Sequence, residues 1–158
     1  MKKFLILIGS ILGLIILLII TLLCLISFRF SEKSIQKMFI RDEVVLSEIS
    51  TYLQGQPYNY MSFRADKGVN EVYVSNANEM GESITVTDSY LIKRLKILFK
   101  KRHYDSITKD KNYICFNRYS SLRFGQGIIV STDERMPDRD YLLKIKPLKE
   151  KWYYYEEK

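Results

Sequence analysis

The sequence predicts an α+β protein: an N-terminal single transmembrane helix, then one small domain of two helices and a mainly antiparallel sheet. Three observations carry this. Phe4 to Phe28 is uncharged, and 19 of its 25 residues are Leu, Ile or Phe. Two later stretches, one from Ser31 to Leu53 and one from Ser89 to about Arg102, repeat apolar residues at the helical period. The remainder alternates in short β-branched and aromatic runs broken by Gly, Pro and Asp.

The apolar run comes first. At about 1.5 Å per residue, 25 residues make a helix of roughly 37 Å, enough to span a hydrocarbon core of about 30 Å with some tilt. Lys2 and Lys3 would suit a signal peptide, but the run is longer than the usual apolar core of about 7–15 residues. No small-residue cleavage site follows at Leu25-Ile26-Ser27-Phe28-Arg29, and Leu22 and Leu23 are too bulky for a lipoprotein signal at Cys24. Residues 1–28 therefore read as an uncleaved signal anchor. Basic residues flank both ends, with Arg29, Lys33, Lys37 and Arg41 on the far side. The expected orientation keeps the short basic end inside and the domain outside. Gly9 and Gly13 have GxxxG spacing, which lets two membrane helices approach closely and marks a weak self-association site.

Residues 29–56 read as a membrane-proximal amphipathic helix, and 57–158 as the α+β part, with 29–158 as one folding unit. Ile35, Phe39, Leu46, Ile49 and Leu53 form the apolar stripe of the first helix, which Asp42 interrupts. Gly55 and Pro57 end it. Strands are expected at Tyr58–Ala65, Glu71–Ser75 and Ser83–Thr87. Asp88 is an N-cap for the second helix, whose Leu91, Ile92, Leu95, Leu98 and Phe99 share a face. Further strands are expected at Tyr104–Thr108, Asn112–Tyr119, Gly127–Ser131, Tyr141–Lys146 and Trp152–Glu156. Turns are expected at Asp66-Lys67-Gly68, at Lys109-Asp110-Lys111, at Pro137-Asp138 and at Pro147. Gly125 and Gly127 read as a bulge or tight turn.

Charge and composition exclude several function classes. The 158 residues carry +7, and the 130 residues after Phe28 keep 23 bases against 18 acids. This is too mild for a dedicated nucleic-acid binder. One His and two Cys leave no disulfide framework within the domain and no multi-ligand His/Cys metal site. No Walker, HExxH or GxSxG pattern occurs. The acid pairs Asp42-Glu43, Asp133-Glu134 and Asp138/Asp140 lack EF-hand spacing.

The most pronounced constellation is Lys93, Arg94, Lys96, Lys100, Lys101 and Arg102, with no acid among them. On one helix these make a basic amphipathic surface, suited to anionic lipid or polymer, or else a solvated face over the core. His103 follows and is the only histidine; it suits the helix C-terminus as a cation, or an enzyme as a general base. Trp152 and Tyr154 share one face of the last strand and offer aromatic contact or core packing. Cys115 alternates with Tyr113 and Asn117, as a small buried hydrophobe would.

Three stretches, SYLIKRLKILFKKRHYDSITKDKNYICF (89–116), GQGIIVS (125–131) and IKPLKEKWYYYEE (145–157), together resemble small anchored or lipid-attached envelope proteins of Gram-positive bacteria. The resemblance covers about half the chain. It implies a helix–strand–strand unit, a final aromatic strand and no activity; some such proteins look like immunity or accessory partners of secreted toxins. The expected function is a membrane-anchored extracytoplasmic binding module. An envelope-acting enzyme using His103, or an anionic-lipid or polymer binder through residues 93–102, is the alternative. The expected partners are the membrane, another protein or an anionic envelope component, with weak homo-oligomers and no specific nucleic acid. No catalytic residue, metal ligand or cofactor is assigned.

Overall fold

A computed structural model describes residues 12–21, 32–76, 80–121, 124–133, 135–137 and 142–157. The chain divides into two compact units, Met1–Ile35 and Gln36–Lys158. In the first, residues 12–21 are helical (α1). The Leu and Ile side chains of α1 are about half exposed or more, and Thr21 Oγ1 donates back to Leu17 O at 2.8 Å. Among the described residues no helix is long and apolar enough to cross a membrane. An added Cβ on Gly13 would meet nothing within 4 Å. Gly9 lies outside the described residues.

The rest is α+β. Helix α2 runs Glu32–Gln54. Strands β1 (Tyr60–Arg64), β2 (Glu71–Ser75) and β3 (Glu82–Thr85) precede α3 (Ser89–Lys96), which continues into a π-helical turn, Ile97–Lys101. Strands β4 (Ser106–Asp110), β5 (Tyr113–Ser121), β6 (Phe124–Ser131), β7 (Leu142–Lys149) and β8 (Trp152–Glu157) complete it. All eight strands form one sheet in the order β3-β2-β1-β4-β5-β6-β8-β7, and every neighbouring pair is antiparallel.

The strand period of two sorts the side chains onto two faces. Register places Met61 and Phe63 opposite Val74, Lys109 and Ile107, and continues through Ile114, Phe116, Ile128 and Val130 to Trp152 and Tyr154. This face holds the main core. Phe39 of α2 packs on Trp152, ring centroids 5.4 Å apart, and Trp152 packs in turn on Phe116 at 6.0 Å. Met38, Leu46, Ile49 and Leu53 of α2 and Leu91, Leu95, Leu98 and Phe99 beyond are buried too. The opposite face changes character across the sheet. On β1 and β2 it shows exposed Arg64 and Tyr73. On β5, β6 and β8 it buries Cys115, Ile129 and Tyr155, packed by Tyr113, Leu142, Ile145 and Tyr153.

Local signals explain most boundaries. Asp88 caps α3, its Oδ1 accepting from Tyr90 N at 2.8 Å and Leu91 N at 3.1 Å. At the end of α2, Gly55 N donates to Thr51 O at 3.3 Å. Gly127 meets the bulge reading: it faces Asn117 where β5 carries an extra residue. A Cβ there would collide with the Phe116 carbonyl.

Three expectations are corrected. Pro147 does not end a strand; it lies within β7, opposite Tyr153. That strand is at the sheet edge, where proline is tolerated, and its register with β8 shifts just after Pro147. Lys109 and Asp110 belong to β4, and the turn moves to Lys111-Asn112. Lys109 is buried, and its ammonium donates to Gln56 O at 2.8 Å, just past the end of α2. A helix C-terminus favours a cation, and α2 has none in its last turn; the sheet supplies it, while burial pulls the Lys109 pKa down. Finally, the second helix is not regular to Arg102, because its last turn is π.

Candidate anion-binding surface

The basic helix is built from an apolar stripe, with Leu91, Leu95, Leu98 and Phe99 buried beneath the cations. The six cations expected to act together divide by residue type. Both arginines turn back onto α2. Arg94 Nη2 donates to Glu48 Oε1 at 2.9 Å, with Nε 2.7 Å from Oε2. The Arg94 guanidinium also sits 4.8 Å above the Tyr90 ring. Arg102 Nε lies 3.1 Å from Asp42 Oδ1. Arg41 grips the same carboxylate through Nε at 2.8 Å and Nη2 at 2.6 Å. The planar fork of arginine suits a carboxylate, whereas lysine offers a hydrated point charge.

Asp42 is 2 % exposed. The polar residue that breaks the apolar stripe of α2 is therefore a buried carboxylate held by two arginines. Tyr104 is beside it. Burial, and then the Asp42 charge, pushes the Tyr104 phenol well above its ordinary range.

The π turn makes this pairing geometrically possible. In a regular α-helix, residues seven apart share a face, which would pair Lys101 with Arg94. A π turn inserts one residue, and Arg102 N reaches back to Ile97 O. The shared face then passes to Arg102, so both arginines meet α2. His103 follows at φ 58°, a left-handed position in which histidine is enriched among non-glycine residues. It is exposed, and Tyr104 N closes the helix onto Leu98 O at 3.2 Å.

Lys93, Lys96, Lys100 and Lys101 are exposed. Among the described residues, none of the four is in an ion pair. Lys96 and Lys100 stand at a cleft of about 640 Å³ that also takes in Lys67, Gly68, Val69, Ser83, Ile84, Thr85 and Phe99. Gly68, at φ 94°, makes the turn that presents Lys67. Lys67, Ser83 and Thr85 were not foreseen as site residues. The only sequence signal was the turn at Asp66-Lys67-Gly68, and nothing local ties it to the second helix.

The other candidates fall elsewhere. Trp152 is sandwiched between Phe39 and Phe116. Tyr154 is fully buried, its hydroxyl donating to Glu156 and lying 3.4 Å from Gln126 Oε1. Tyr154 is a core residue, and Trp152 is partly buried at the edge of the same core. Cys115 is buried beside Ile129 and Tyr155. Glu43 pairs with Lys149 at 2.6 Å. Asp133 accepts from the Ser131 hydroxyl at 2.9 Å and from Arg135 N at 3.2 Å, which lowers its pKa. Glu134, Asp138 and Asp140 lie outside the described residues. Among the described residues, no group of three or more His, Cys, Asp or Glu is placed to hold a metal ion. Comparison with protein-family models, with curated proteins and with solved structures finds no match.

Proposed function

We propose that the protein is a single-pass membrane protein whose α+β domain works outside the cytosol by binding an anionic partner. The observation that carries the binding half is the division of the basic helix: the arginines are neutralised by α2, and four lysines are left to solvent with no ion pair among the described residues. A solvated face would need no such sorting of cation types. The uncharged run Phe4–Phe28 supports the anchor, as does the wide exposure of the Leu and Ile side chains of α1, which bilayer lipid would cover. The envelope accessory or immunity-type role implied by the resemblance agrees with a binder that uses no catalytic group. His103 needs no enzyme to explain it, since it closes a helix.

The test uses the full-length protein in zwitterionic nanodiscs with dextran sulfate as a generic polyanion. Affinity falls steeply as salt rises, because each neutralised charge releases counterions. Replacing Lys93, Lys96, Lys100 and Lys101 together by Gln abolishes the salt-sensitive binding. Equal binding by this variant and the wild type would refute the proposal.

A further inference from the structure

The four unpaired lysines are not equivalent. Lys96 and Lys100 border the cleft and Lys67 joins them from the β1–β2 turn, whereas Lys93 and Lys101 lie outside it. The wall between them is the run Ser83-Ile84-Thr85 of β3. This strand ends the sheet, so its outer N–H groups face no neighbouring strand among the described residues. Three lysines, two hydroxyl-bearing residues and a strand edge thus line one space. Ile84 and Phe99 give that space an apolar side, and Glu71 is its only acid among the described residues.

We propose that the cleft is a binding site for a phosphate ester: a phosphoryl group carried on a short polyol or similar carbon chain. This deepens the preceding section and rests on its reading of the lysine face. A tetrahedral anion accepts hydrogen bonds from several directions, which suits three separate point charges and backbone N–H groups. A carboxylate is better matched by an arginine fork, and both arginines of this helix are already on carboxylates. The apolar side accommodates the carbon chain, and Glu71 accepts from a ligand hydroxyl. An acidic peptide added along β3 would compete for the same charges, but β3 is only four residues long.

The experiment uses full-length protein in zwitterionic nanodiscs, titrated with glycerol 3-phosphate, with glycerol, with a Glu-rich peptide, and with vesicles containing phosphatidylglycerol. Glycerol 3-phosphate is expected to bind and glycerol not. The Lys67→Gln/Lys96→Gln variant should weaken the ester about tenfold or more, and Lys93→Gln/Lys101→Gln, with the same charge change, less than twofold. Unchanged melting temperatures would assign these losses to the site. The same pattern with the vesicles would make a lipid headgroup the source, and with the soluble ester alone a free ester. Equal losses in both variants, or binding of the Glu-rich peptide without the ester, would overturn the cleft. If no phosphate probe binds while dextran sulfate still does, the cleft fails and the lysine face stands. If dextran sulfate binding is absent too, both fail.

Discussion

Asp42 shows what one residue contributes here. Its carboxylate is buried between Arg41 and Arg102, and removing it leaves two guanidinium groups facing each other beside Tyr104. Asp42→Ala should cost about 3 kcal/mol, the lower end for breaking a buried pair, because both arginines remain partly in water. Chemical denaturation of the two proteins measures it. The Tyr104 phenol is raised by burial and by Asp42, so folding favours its protonated form. Its stabilisation is complete below the unfolded value of about 10 and is lost as pH rises toward the folded value. Melting temperature should therefore fall with pH above about 10, and fall less steeply in Tyr104→Phe. The same slope in both proteins would remove Tyr104 from the account. In the sequence Asp42 was legible as a break in an apolar stripe. Its distant partner Arg102 was not, because a pair between residues so far apart leaves no local pattern.

Among the elements, strands and caps were readable, and irregularities inside elements were not. Glu71–Ser75 and the cap at Asp88 follow from β-branched alternation and Asn/Asp chemistry. The π turn has no compositional mark, so the periodicity of Ser89–Arg102 suggested a regular helix and put six cations on one surface. Pro147 misled because its meaning depends on whether the strand is central or at an edge, which only pairing decides. Gly127 was legible as a bulge, and its partner strand was not. Gly127→Ala forces a methyl into the Phe116 carbonyl and should destabilise by about 3 kcal/mol, the upper range of overpacking. Trp152→Ala opens a gap between Phe39 and Phe116 and should cost about 3 kcal/mol. If Trp152→Ala instead left stability unchanged and weakened a partner, the aromatic strand would be a contact surface after all.

On the scale of the whole molecule, sequence period and composition were enough for the α+β class, because hydrophobic patterning is repeated along every element. The candidate site was half legible. The lysines were visible as a charge run, but their separation from the arginines depends on where α2 places Glu48 and Asp42. Lys67 enters only through the sheet. For the anchor, a reporter fused after Lys158 should be active only if it requires the extracytoplasmic side, and a cytosolic reporter active there would reverse the orientation. The central claim is that arginines hold the fold and lysines meet the partner. It is tested most directly by a crossed comparison in full-length protein, reading both melting temperature and salt-dependent binding to dextran sulfate. Replacing the four lysines by Gln should abolish binding and leave melting unchanged; replacing Arg94 and Arg102 by Gln should lower melting and leave the salt slope of the folded protein intact. Loss of binding with the arginine pair alone, at full fold and with the lysine variant still binding, would contradict the account.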